Sequence, residues 1–114
     1  MTDYKRGDVV LANLDPVEAG EQGKTRPCLV VSYDALNCSK HPCLIVCPIT
    51  GKENVSKGYP THVVLTKEIG MDKDSVVMCE QIRAIAKKRV VKRILSLQGM
   101  DNINAALMRA LDLE

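Results

Sequence analysis

Between Asp8 and Ala86 every apolar run in this chain is short, and Gly, Pro, Asp and Asn recur in the segments between them. A globular helix needs about 10–12 residues, whereas strands of four to eight suffice, so this stretch predicts a sheet. The first strand is expected over Val9–Leu14, entered through Gly7-Asp8 and closed by Asp15-Pro16. Cys28–Ser32 is the second. "PCLIVCPIT", residues 42 to 50, is apolar on both faces and fits a central strand ending near Pro48. "THVVLT" (61–66) and "SVVMCE" (75–80) follow, separated by a turn around Gly70 and Asp72. "QIRAIAKKRV" (81–90) alternates, with Ile82, Ala84 and Ala86 on one face and Gln81, Arg83 and Ile85 on the other. A helical turn is expected within Tyr33–Lys40. From Gly99 the period changes: Met100, Ile103, Leu107, Ala110 and Leu111 recur at helical spacing, with Asp101 as the expected N-cap. The fold class is mainly β with helices, a small β-barrel with a C-terminal helix, and residues 1–114 form a single domain without repeats or linkers.

Three Tyr without Phe or Trp leave the core to Val, Ile, Leu, Met, Ala and Cys. Base stacking on aromatic platforms is thereby excluded as a main binding mode, although phosphate binding is not. A homodimer burying an apolar sheet face would help so small a core. Five cysteines without CxxC spacing, mostly inside apolar runs, behave as small hydrophobes and argue against zinc or a disulfide framework. No stretch approaches the ~20 apolar residues of a membrane span, and none resembles a signal peptide, so the expected setting is the cytoplasm.

A net charge of +2 announces no nucleic-acid partner, so the placement of charge matters more than its sum. Two loops, 18–26 and 50–58, feed hydrophobic strands and carry Glu21, Lys24, Thr25, Arg26, Thr50, Lys52 and Lys57. If the strands are neighbours, these residues line one rim of the barrel, and their chemistry suits an anion. "KKRVVKR", residues 87 to 93, holds five cations and no acid, fit for a solvated face, an RNA backbone or an acidic peptide. His41 is expected at the surface. His62, opening a strand, is expected to be hydrogen-bonded, with RNA contact as a second role.

"RGDVVLANLDPVEAGEQGKTRPCLVVS" (6–32), "VCPITGK" (46–52), "PTHVVL" (60–65) and "DSVVMCEQIRAI" (74–85), in this order, resemble the MazF/PemK family. These are toxin endoribonucleases of type II toxin–antitoxin modules. The resemblance implies an SH3-like barrel of the MazF/PemK/CcdB type, a homodimer, and metal- and cofactor-independent cleavage of single-stranded RNA at a short word. It also implies inhibition by a MazE/PemI-like antitoxin whose flexible tail crosses the RNA site. The catalytic pair falls on Arg26 of "TRP" and Thr50 of "PIT", and Glu21, Gln22 and Gln81 fall where such enzymes shape the site or contact RNA. Gly20 stands where relatives often carry Ser, which bears on base preference.

In metal-free cleavage the ribose 2′-OH attacks its own phosphate, expels the 5′-oxygen and leaves a 2′,3′-cyclic phosphate. Negative charge gathers on the phosphorane, and fixed donors aimed there are the largest lever. Arg26 offers a planar fork and Thr50 a hydroxyl. With a pKa of about 12.5 or higher, Arg is a poor base, and Glu21 suits that role better on acidity. Two other readings compete: a non-catalytic toxin of the same fold binding a protein target, as the related CcdB proteins bind DNA gyrase, and an RNA-binding regulator without turnover.

Overall fold

The computed structural model describes residues 3–55 and 58–114. Among the described residues seven strands and two α-helices, with short 3-10 turns between some of them, follow one another as β1 (Asp8–Asn13), β2 (Thr25–Val30), α1 (Asp34–Asn37), β3 (Cys43–Gly51), β4 (His62–Leu65), β5 (Ser75–Met78), β6 (Arg83–Ala86), β7 (Val90–Ser96) and α2 (Asp101–Ala110). All pairings are antiparallel, in the order β4-β5-β3-β2-β1-β7, with β6 also on β3. This is the mainly-β class with a C-terminal helix that the short apolar runs predict. Among the described residues the hydrogen-bonded ladder does not close. Its two ends, β4 and β7, are joined by packing instead, since Val63 and Leu65 share one core with Leu95, Leu97 and the helix residues Ile103 and Ala106.

β1, β2 and β3 are covered on both faces, which accounts for their nearly unbroken apolar sequence. One face carries Val9, Leu29, Cys47, Ile49 and Val77 beneath α2. The other carries Val10, Ala12, Leu14, Cys28, Val30, Leu44, Val46 and Ile85, all at most 2% exposed. Among the described residues His62 Nδ1 is a buried side-chain polar atom without a hydrogen-bond partner, whereas the buried Asp8 is fully engaged. The Asp8 carboxylate takes the Arg93 Nε at 2.9 Å, the Ser96 hydroxyl at 2.6 Å and the Lys5 N–H at 2.9 Å.

Four elements depart from the sequence reading. β2 begins at Thr25, so Thr25 and Arg26 belong to the strand itself. β3 runs through Pro48 to Gly51. Pro48 is tolerated there because its edge is interrupted: Met78–Ile82 lie opposite only Cys47 and Pro48, so the chain turns outward over Cys79–Gln81 between β5 and β6. β7, absent from the reading, covers residues assigned partly to the preceding strand and partly to none. Asp101 is the first residue of α2 and Met100 its N-cap, with no side-chain capping bond.

Candidate active site

Strand register places Arg26 and Thr50 on one face of the sheet. Cys28 pairs with Pro48 and Val30 with Val46, and continuing that register two places sets Arg26 opposite Thr50. Antiparallel partners share a face, so both project from the side carrying Cys28, Pro48 and Val46. Arg26 is half-buried and Thr50 is 7% exposed.

Each side chain is held by one partner and left with donors to spare. Arg26 Nε donates to the Gly23 carbonyl at 2.7 Å, so its two terminal nitrogens are the ends available to an anion. Asn54 Nδ2 donates to Thr50 Oγ1 at 3.2 Å, which leaves the Thr50 hydroxyl proton free to donate. The loop before β2 is fixed by its own geometry. The Asp15 carboxylate accepts the Lys24 N–H at 2.7 Å, and the Lys24 carbonyl accepts the Leu14 N–H at 2.9 Å. A Cβ on Gly23 would meet Asp15 Oδ1 at 2.5 Å and Val17 Cγ2 at 2.6 Å, so glycine is demanded there by the close approach of the two arms of the loop.

A cavity of about 500 Å³ opens beside this loop, lined by Gly20, Glu21, Gln22, Glu80, Gln81, Ile82 and Arg83. Gln81 ties its walls together, accepting the Gln22 N–H at 2.8 Å and donating to the Gly20 carbonyl at 3.4 Å. Glu21 is exposed and folded onto its own loop, its carboxylate accepting the Glu18 N–H at 2.6 Å. Glu80 accepts from the Thr61 hydroxyl at 2.8 Å and faces His62 Nε2 at 3.0 Å. Burial opposes ionisation of Glu80, but hydrogen bonds from Thr61, its own backbone and His62 outweigh it and hold the carboxyl below its ordinary value.

The remaining expected residues scatter. Lys24 and Thr25 are exposed, Lys24 with φ of 64°. Lys52 is exposed and lines a separate charged hollow with Glu53, Lys67, Asp72, Lys73 and Asp74. Lys57 lies outside the described residues. His62 is packed edge-on against Tyr59, its side chain 9% exposed and its Nε2 engaged by Glu80, so it meets the cavity through that carboxylate. The basic run is largely spent on the fold: Lys87 Nζ donates to the Ser39 carbonyl, Arg89 to those of Asn13 and Asp15, and Arg93 pairs with Asp8. Cys28, Cys47 and Cys79 are buried as expected, but Cys38 is exposed and Cys43 half-exposed.

The family model for PemK-like, MazF-like toxins of type II toxin–antitoxin systems matches residues 5–111. The chain belongs to this family. Solved structures agree with its fold. MazF from Deinococcus radiodurans is 27% identical with a TM-score of 0.80, over 98% of this chain and 99% of that one. A MazE–MazF complex from the same organism is 26% identical with a TM-score of 0.73 over all of both chains. An endoribonuclease in complex with its cognate antitoxin, from a mycobacterial species, is 22% identical with a TM-score of 0.76 over 97% of each.

Within this PemK-like, MazF-like chain, the sequence reading passed over Asn54, Glu80 and Arg83. Arg83 left a visible signal. It alternates with the buried Ile85 on β6, so a cation stands on a face that otherwise feeds the core.

Proposed function

We propose that this protein is a sequence-specific endoribonuclease toxin that cleaves single-stranded RNA without a metal ion. The observation that carries the reading is the β2–β3 register, which continued two places beyond Cys28–Pro48 sets Arg26 and Thr50 on one face, each side chain anchored on one side and free to donate on the other. Arg26 holds the scissile phosphate through its terminal nitrogens and stabilises the phosphorane, and the Thr50 hydroxyl supplies a further donor. The 2′-OH attacks, the 5′-oxygen leaves, and a 2′,3′-cyclic phosphate remains. Glu21, a carboxylate at the cavity wall that accepts the Glu18 N–H, is the candidate for the general base on acidity. Gln22 and Gln81 present amides to base edges, where single-stranded RNA is read.

The MazE–MazF complex among the structural relatives supports a further part of the proposal, a cognate antitoxin that neutralises the toxin, and the toxin–antitoxin family is compatible with a setting in the cytoplasm. Among the described residues no helix is long and apolar enough to cross a membrane. Exposed Val91 and Ile94 on β7 and Met108, Leu111 and Leu113 at the C-terminal end support a homodimer.

The test is cleavage of a long mixed-sequence RNA in excess EDTA, with Arg26→Ala alongside and the fragment ends sequenced. Cuts at one short word, ending in 2′,3′-cyclic phosphate and absent with the variant, are expected. A folded Arg26→Ala variant that keeps cutting overturns the assignment. Intact RNA with the unaltered protein turns the reading toward a toxin that binds a protein target.

A further inference from the structure

We infer that Arg83 is a second phosphate-holding cation, which with Arg26 forms a two-guanidinium seat for adjacent phosphodiesters of the RNA. The inference deepens the nuclease reading and rests on it for the identity of the anion.

Three observations converge. Arg83 pairs with Val46, two places before the buried Ile85, so it projects from the same face as Arg26 and Thr50. Its Nη1 reaches the Leu14 carbonyl at 3.3 Å, so the guanidinium crosses the apolar face towards the loop that holds Arg26. The thiol of Cys28, whose strand neighbours are Val10 and Pro48, feels both charges. Burial pushes it up to about 12, against the opposing pull of Arg26 and then Arg83.

Neither arginine is neutralised. Arg93 has Asp8 and Arg109 has Glu114, but among the described residues Arg26 and Arg83 have no carboxylate within ion-pair distance, and each donates only to a loop carbonyl. Two half-buried like charges on one apolar face repel each other and lose hydration, a cost that a shared anion offsets. Arg83 also forms part of the wall of the 500 Å³ cavity, while Arg26 stands at its loop. A strand of RNA with one nucleotide in the cavity carries the flanking phosphates past both forks.

The competing explanation is that Arg83 merely clasps the loop at Leu14, as Arg89 clasps Asn13 and Asp15. A salt titration separates the two. The probe is mixed-sequence RNA methylated at every 2′-oxygen, which lacks the nucleophile and stays intact. Each phosphate contact to a single strand contributes about 0.7 to the slope of log affinity against log salt. Arg83→Gln is expected to weaken binding and lower that slope by about 0.7, while Arg83→Lys retains the slope and loses part of the affinity. An unchanged slope in a folded Arg83→Gln overturns the inference, whether or not the unaltered protein cuts RNA. If Arg83→Gln fails to fold, the unaltered protein decides: the Nε–H resonances of Arg26 and Arg83 are expected to shift together on adding the methylated RNA, and movement of Arg26 alone overturns the inference. Failure of the nuclease reading shows separately, as unmethylated RNA left intact.

Discussion

Gly23→Ala tests how the site is positioned without touching any group that meets RNA. The new methyl would stand 2.5 Å from Asp15 Oδ1 and 2.6 Å from Val17 Cγ2, so these two side chains must move by about 1 Å to reach ordinary contact. Asp15 cannot retreat freely, because that same oxygen holds the Lys24 N–H at 2.7 Å. Loss of a hydrogen bond to a carboxylate together with overpacking amounts to about 2–3 kcal/mol. The functional loss is larger in proportion. The Gly23 carbonyl is the acceptor that aims Arg26, and displacing a catalytic group by about 1 Å costs on the order of 100-fold in rate. The assay is the rate of RNA cleavage in EDTA, read beside a thermal melt and beside Gly99→Ala, whose added Cβ meets nothing within 4 Å. Cleavage by Gly23→Ala within a few-fold of the Gly99→Ala control would refute the claim that this loop carbonyl sets the guanidinium.

Other outcomes follow from the same structure. Thr50→Ser keeps the hydroxyl that Asn54 steadies and should retain most activity, whereas Thr50→Val should lose about 100-fold, measured as kcat on a defined RNA. Asp8→Ala strands the Arg93 guanidinium and the Ser96 hydroxyl beside a buried gap and should destabilise the fold by about 3 kcal/mol in urea unfolding. Glu80 is held below its ordinary pKa, so its stabilisation is complete above the ordinary carboxylate range and disappears as pH falls through the depressed value. The stability difference between the unaltered protein and Glu80→Gln should therefore be full near pH 7 and shrink in acid, followed by denaturation at stepped pH. A thiol reagent followed by mass spectrometry should label Cys38 first and Cys43 next. Cys28 should resist until the protein unfolds, being buried and with its thiol pushed up to about 12.

The fold was legible where residues alternate or run apolar and obscure where charge interrupts them. Thr25 and Arg26 look like loop because they are polar, yet β1 holds them in register opposite Asn13 and Ala12. β7 gave no pattern to read, since Val91, Lys92, Arg93 and Ile94 are all exposed and its pairing with β1 shifts register twice. Spacing alone carried the site only as far as an anion near two loops. Arg26, Thr50, Glu21, Gln22 and Gln81 came from matched motifs, and the structure places the first two on one face by register and the other three around one cavity. Arg83 needed the structure, because nothing in "EQIR" tells how far that side chain reaches across a buried face.

The opposition of Arg26 and Thr50 also makes the sheet a test of its own correctness. A slip of one residue between β2 and β3 would send one of the two to the far side of the barrel. Arg83 joins them only when β6 has docked on the opposite edge of β3. A chain that is half-made or wrongly paired therefore carries every residue of the proposed site without assembling it, so the proposed chemistry would come only from finished molecules.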